Sequence, residues 1–302
     1  MNTTVTYPKP LQKGDTIAIC SPAGPIDPDK VHNAANILQQ YGWKTQIMPH
    51  ALGHHGNYSG TDAERFDDLR QAFADPQVRA ILCSRGGYGV VHILDRLNDL
   101  DLTSDPKWVI GFSDISAMHA LMHSKGIASI HASMAAQIAK GPDDPDNARL
   151  FQILQGQRQP YAIPAHRHDR QGIASGPLRG GNVAVLADLI KTRYDMLLPG
   201  SILFIEDVAE PIYKIERILY QLKIAGVLGQ LNGLIVGQFT EYKKDDSYNT
   251  MEDMIADMTA SYRYPIAFNA PIGHVDHNIP LIESAPVPLK VTPTPQNFLI
   301  YH

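Results

Sequence analysis

Between residues 16 and 130, short apolar runs alternate with stretches whose apolar residues recur at helical spacing. Residues 16–20, 45–48, 80–83, 108–110 and 127–130 read as strands. Between them, Val31, Ala34, Leu38 and Tyr41 mark one helix, and Phe66, Leu69 and Phe73 a second. Residues 90–97 form a third, and Ile115, Met118, Leu121 and Met122 a fourth. The boundary residues agree with these elements. Asp27-Pro28 is a cap followed by proline at the first helical position, Gly42 is a stop, and Thr61 with Glu64 is a capping box. Strands separated by helices cannot pair as hairpins. They pair in parallel through crossovers, which predicts a doubly wound parallel sheet with helices on both faces.

The pattern changes past residue 141. Residues 141–146 are rich in Gly, Pro and Asp, a short helix is expected over 147–155, and a polar stretch runs to Arg170. This divides the chain into an N-terminal domain, 1–145, a linker, 146–172, and a C-terminal domain, 173–302. In the last part Gly180-Gly181-Asn182 opens a helix, and 202–205, 234–236 and 266–268 read as strands, with a helix over 212–225. The proline-interrupted alternation of 286–301 predicts edge strands. The expected second domain is a smaller, β-rich mixed α/β unit.

The 302 residues are 44% hydrophobic and 19% charged, with a net charge of −5. A core of ordinary size follows, and neither nucleic acid nor an anionic membrane is an expected partner. No apolar run approaches the ~18 residues that span a bilayer, and residues 1–13 lack the basic-then-apolar order of a secretion signal, so the expected location is cytoplasmic. In a reducing compartment Cys20 and Cys83 read as buried thiols rather than a disulfide.

Gly111-Phe112-Ser113-Asp114 joins a strand to a helix. Such a turn can hold a serine hydroxyl at the sheet's carboxyl edge, beside backbone N–H groups able to stabilise an oxyanion. From these residues alone, a helix cap at Ser113 or Asp114 is the commoner reading of such a turn. A serine nucleophile also needs a base and a group to orient it. His274 sits on a glycine-flanked loop after the strand at 266–268, and Glu206 follows the run 202–205, where it could also be an ordinary solvated charge. Arg85-Gly86-Gly87-Tyr88-Gly89 is an oxyanion hole, a phosphate cradle or a plain tight turn. It lacks the Lys-Ser/Thr of a P-loop. His274 with His277, and His50 with His54 and His55, are the sets from which a metal could be held, and Cys83 is a second candidate nucleophile.

Taken together, these segments resemble the LD-carboxypeptidase family, which includes murein tetrapeptide carboxypeptidase. The resemblance covers nearly the whole chain. It is carried by Ser21-Pro22-Ala23-Gly24, Gly60-Thr61-Asp62 with Arg65, the Arg85 and Gly111 segments, and Gly180-Gly181-Asn182. Leu203 to Asp207 with Glu210, Tyr213 and Arg217, and finally Gly273-His274, complete it. The resemblance implies a flavodoxin-like N-terminal domain, a β-rich C-terminal domain and a homodimer. It implies a Ser-His-Glu triad of Ser113, His274 and Glu206. Glu206 is chosen over Asp207 and Glu210 by alignment of the motif alone. The N–H groups of Asp114 and Gly86 would form the oxyanion hole, and Arg85 and Gly87 would bind substrate. No metal or organic cofactor is implied. The implied reaction is release of terminal D-alanine from a cytoplasmic murein tetrapeptide during cell-wall recycling. A same-family peptidase acting on a peptidyl-nucleotide antibiotic, and a non-catalytic small-ligand binding protein, are the alternatives.

Overall fold

The computed structural model describes residues 5–293 and 296–301. Its backbone divides into two compact units, one running to Gln157 and including Ile279–Ile282, the other holding the remaining residues from Arg158 onward.

The first unit is built as β1 (Thr16–Cys20), α1 (Pro28–Gln40), β2 (Lys44–Ile47), α2 (Asp62–Ala74), β3 (Val78–Cys83) and α3 (Val90–Asn98). It continues with β4 (Trp108–Gly111), α4 (Ser116–Ser124), β5 (Ser129–His131), α5 (Ala135–Ile138) and α6 (Pro145–Leu154). The strands lie in the order β2-β1-β3-β4-β5, all parallel, and the returning strand Leu281–Glu283 is hydrogen-bonded beside β5. This is the flavodoxin-like doubly wound sheet. β1, β3, β4 and β5 are buried almost throughout because helices cover both faces, which is why they read as continuous apolar runs. The expected caps are present. Asp27 accepts the Asp29 N–H with Pro28 at the first helical position, and Thr61 and Glu64 close their reciprocal box.

Strand order reverses between β1 and β3, so the crevice outside their carboxyl ends is the natural ligand position. A buried arginine organises that edge. Arg65, on α2, donates through Nε to Gly60 O at 3.2 Å and through Nη1 to Pro22 O and Gly89 O at 2.5 and 2.8 Å. It also pairs with Asp62 and lies 5.0 Å from the Tyr58 ring centroid. At the end of β4, His119 accepts from Ser129 Oγ and donates to Gly111 O, both at 2.9 Å. Burial pulls its imidazole down to about 4, so the ring is neutral and ties α4 to β4 and β5. Cys20 and Cys83 are free, buried thiols on neighbouring strands.

The second unit runs β6 (Tyr161–Pro164), β7 (Gly172–Asn182), α7 (Val183–Asp188), β8 (Ile202–Val208) and α8 (Ile212–Ile224). Then come β9 (Gly233–Thr240), α9 (Met251–Met258) and β10 (Ile266–Ala267). The strand Leu281–Glu283, mentioned above, is β11, and β12 (Pro286–Val291) and β13 (Gln296–Leu299) follow. The sheet order is β10-β9-β8-β7-β12-β13-β6. The β7–β10 half is parallel and the remainder antiparallel, a mixed α/β unit as expected. Segment 146–172, read as a linker, contains most of α6, which belongs to the first unit, and β6, the outer strand of the second.

Two expectations are corrected. The 286–301 segment does not supply edge strands, since β12 and β13 both lie inside the sheet. The prolines permit this because they alternate. Pro288 faces β13, where its carbonyl accepts the Ile300 N–H, so Val287, Leu289 and Val291 remain to pair with β7. Glu206 does not follow its strand but lies within β8, which extends to Val208.

Replacing Arg65 strands several buried carbonyls at once. Arg65→Ala is expected to lower the unfolding free energy by roughly 3 kcal/mol in equilibrium urea titration. A change too small to resolve would show that the carbonyl contacts are not holding this edge.

Candidate functional site

Ser113 is reached from β4 through Phe112 and has φ +66°, a left-handed conformation that costs a serine energy. A single 3₁₀ turn, Ser113–Ile115, then leads into α4. Neither helical start takes a side-chain cap from Ser113, so the capping reading fails for it. Asp114 does cap a helix, but not its own. Its Oδ2 accepts the Val90 N–H at the start of α3 at 2.9 Å. Burial pushes this carboxyl up to about 6, opposed by the Val90 bond and the charges of Arg65 and His92.

The Arg85 segment meets the Ser113 turn directly. A methyl group built on Gly86 would stand 2.7 Å from Ser113 Cβ, 2.9 Å from its Oγ and 3.4 Å from the Asp114 nitrogen. Only bare backbone fits against that hydroxyl. The Gly86 carbonyl accepts the Gly24 N–H at 3.0 Å, which joins the loop after β3 to the loop after β1. Gly87 has φ +119° and is exposed. Arg85 is exposed as well, with Nη1 on the Pro25 carbonyl at 3.0 Å. Ser113, Asp114 and Gly86 are therefore brought together within the first unit.

In the second unit, His274 Nδ1 lies 2.9 Å from Glu206 Oε2. The carboxylate oxygen accepts, so Nδ1 carries the proton and Nε2 is the basic nitrogen of the neutral ring. Glu206 is 0% exposed, so it is not the solvated charge that the sequence allowed. Burial pulls the His274 imidazole down. The hydrogen bond and charge of Glu206, with Asp207 and Glu241, outweigh that and leave it above its usual value. Gly273, at φ +120°, makes the approach possible, because a methyl group there would meet Glu206 Oε2 at 2.8 Å. Its N–H is anchored by Asn278 Oδ1 at 2.9 Å.

Geometry also separates the three neighbouring acids. Asp207 turns away from His274, accepting from Ala184 N, Asn182 Nδ2 and Val208 N at 3.0, 2.9 and 2.8 Å. Burial, reinforced by the Glu206 charge, pushes Asp207 up to about 6. Glu210 pairs with Lys214 at 3.1 Å. Glu206 alone of the three bonds His274. Non-glycine residues with positive φ follow the parallel strands here too: Ala209 after β8, Glu241 after β9 and Asn269 after β10.

The other candidates lead elsewhere. Cys83 is buried, and burial pushes its thiol far above the usual range, which removes it as a nucleophile. His50 is held by Asp68 at 2.8 Å. Among the described residues no group of three or more His, Cys, Asp or Glu side chains could hold a metal ion. The sequence assigned Arg65 no role beyond its place in a family segment, and the Asp114 side chain only that of a cap on the helix that follows it, not on α3. Thr61 and Asp62, four and three positions before Arg65, were the available signal.

A strained serine against a bare glycine backbone is suited to acyl transfer, and an imidazole oriented by a buried carboxylate is suited to general-base work. Comparison with known proteins bears on both units. Residues 17–132 match the LD-carboxypeptidase N-terminal domain and residues 175–289 the LD-carboxypeptidase C-terminal domain. The chain is 32% identical to the "probable murein peptide carboxypeptidase" of Bacillus subtilis over 281 residues, 90% of this chain and 88% of that one. It is 30% identical to the murein tetrapeptide carboxypeptidase of Pseudomonas aeruginosa over 272 residues, 87% and 89% of the two chains. The fold matches the muramoyltetrapeptide carboxypeptidase of Oxalobacter formigenes with a TM-score of 0.85 at 24% identity, over 95% of this chain and 99% of that one. It matches the microcin C7 self-immunity protein MccF, solved with aspartyl sulfamoyl adenosine, with a TM-score of 0.85 at 20% identity over 97% of each. With each unit matched by its own domain, the chain belongs to the LD-carboxypeptidase family of serine peptidases.

Proposed function

We propose that this peptidase is a murein tetrapeptide carboxypeptidase that releases terminal D-alanine by cleaving an L–D peptide bond. The observation that carries the assignment of chemistry is the strained turn at Ser113 with Gly86 backbone against its hydroxyl. The names of the Bacillus and Pseudomonas relatives support the substrate. In this reading Ser113 is the nucleophile from one unit, and His274 and Glu206 are the base and its orienting carboxylate from the other.

Ser113 Oγ attacks the scissile carbonyl as His274 Nε2 takes its proton. Glu206 keeps the other ring proton on Nδ1 and stabilises the imidazolium. The N–H groups of Asp114 and Gly86 receive the oxyanion. D-alanine departs with the proton from His274, and water then releases the acyl tripeptide. Arg85 and Gly87 bind the substrate, Arg85 by pairing with its free carboxylate. The chemistry calls for neither metal nor organic cofactor. The enzyme works as a homodimer in the cytoplasm, in cell-wall recycling. Among the described residues no helix is long and apolar enough to cross a membrane.

A second reading, hydrolysis of a peptidyl-nucleotide, is supported by the fold likeness to MccF. Assaying D-alanine release from murein tetrapeptide beside cleavage of an aminoacyl sulfamoyl adenosine separates the two. Preference for the nucleotide, with no D-alanine released, would reverse the assignment.

Ser113→Ala is expected to fold normally and to lose roughly 10⁴–10⁶-fold in kcat. Retained D-alanine release would remove Ser113 as the nucleophile. Gly86→Ala should leave the unfolding midpoint within a few degrees of the parent while kcat falls roughly 100-fold or more, because its methyl group occupies the space beside Ser113 Oγ. Glu206→Gln removes the charge that raises His274. The base must be unprotonated to act, so the acid limb of kcat/KM moves to lower pH while the rate falls roughly 10⁴-fold. An acid limb that stays in place would dissociate Glu206 from the base.

A further inference from the structure

The peptide between Gly89 and Val90 is held from both sides by buried charged groups. Its carbonyl accepts from Arg65 Nη1 at 2.8 Å, and its N–H donates to Asp114 Oδ2 at 2.9 Å. Val90 opens α3, whose cap residue Gly89 has no side chain, so its N–H would otherwise lack a capping partner. The acceptor comes instead from 24 residues along the chain, from the residue directly after Ser113. Gly86, at the near end of the same loop, is pressed against Ser113 and Asp114 N. Asp114 thus joins its own N–H to the loop that carries Gly86.

We propose that the Asp114 side chain is a positioning residue, which sets the spacing of the two oxyanion donors by clamping the Gly86–Gly89 loop to the Ser113 turn. The proposal rests on the reading of Ser113 as nucleophile. Position 89 cannot supply the cap itself, because Gly89 has φ +121° and a side chain there would begin 2.8 Å from the Tyr58 ring and 3.0 Å from Arg65 Nη1. The acceptor therefore has to come from elsewhere, and it comes from the residue whose own N–H stands beside Ser113. Burial disfavours the charged form of Asp114. The folded carboxyl binds its proton more tightly than the unfolded one, so keeping it ionised at neutral pH costs stability, and that cost is relieved as pH falls through about 6. Retaining a destabilising charge beside a nucleophile is the mark of function rather than fold. The groups facing Asp114 are Arg65 from α2 and His92 from α3, which favour its ionised form, and the Cys83 thiol from β3. Protonation would replace a charge-assisted bond to Val90 with a weaker neutral one.

The test is steady-state hydrolysis of murein tetrapeptide across pH 5 to 8 by the wild type, Asp114→Ala and Asp114→Asn, with Ser113→Ala alongside. Asp114→Ala is expected to lose roughly 10–100-fold in kcat with little change in KM, since about 1 Å of misplacement can cost that much. Asp114→Asn, whose amide oxygen still accepts, should lose less. Its thermal midpoint at pH 8 should equal or exceed the wild type's. The wild-type acid limb should be steeper than one ionisation, through His274 and Asp114 together, and Asp114→Asn should reduce it to a single ionisation. Wild-type kcat in Asp114→Ala, or a steep acid limb surviving in Asp114→Asn, would overturn the proposal. If Asp114→Ala does not fold, the acid limb of Asp114→Asn decides. Activity in Ser113→Ala would instead overturn the serine reading itself.

Discussion

Arg65 is buried without solvent to stabilise its charge, and it satisfies its guanidinium with carbonyl oxygens from three separate loops. Those loops follow β1 and β3 and precede α2, and β1 and β3 are the strands between which the sheet order reverses. One planar, always-charged group with five fixed donors therefore determines where three backbones lie. The Gly86–Gly89 loop, one of the three, is what stands against Ser113. A lysine offers no such fork, and an apolar residue would leave the carbonyls unsatisfied.

Ser113 occupies a left-handed conformation that must be maintained by its surroundings. His119 secures Gly111 two residues before it, and Asp114 secures the chain one residue after it. The second unit repeats the device. Glu206 is followed by Asp207, which turns away and holds the Ala184 N–H at the start of α7. In both units the residue proposed to act in catalysis is followed by an aspartate, buried and raised to about 6, spent on a neighbouring helix N-terminus. The helix N-terminus carries positive partial charge, which helps a buried carboxylate remain ionised. The aspartate in turn fixes the strand end on which the proposed catalytic group sits.

The architecture was largely legible because its signals are local. Asp27-Pro28, the Thr61/Glu64 box and the 3.6-residue periodicities each involve residues within a turn or two of one another, and all appear as expected. The reading failed where an assignment depends on a neighbouring strand. Pro286 and Pro288 suggested an exposed edge, but a strand can be interior if its prolines all face the weaker-paired neighbour. Glu206 looked like a strand-end charge because a run of apolar residues stops there, while backbone pairing with β9 carries the strand on to Val208.

Composition and patterning were enough to identify two α/β units, the turn that presents Ser113 and the glycines flanking it, since backbone propensity and amphipathic period act over a few residues. Patterning could not choose among Glu206, Asp207 and Glu210; the family resemblance alone singled out Glu206, and its bond to His274 is a matter of three-dimensional pairing. His274 is 68 positions away, and strand register alone determines which carboxylate faces it. The same holds for Asp114, whose partner is the first residue of α3. Contacts of this kind leave no periodic trace in a chain, because their energy is realised only after the sheet has brought distant loops to a common edge.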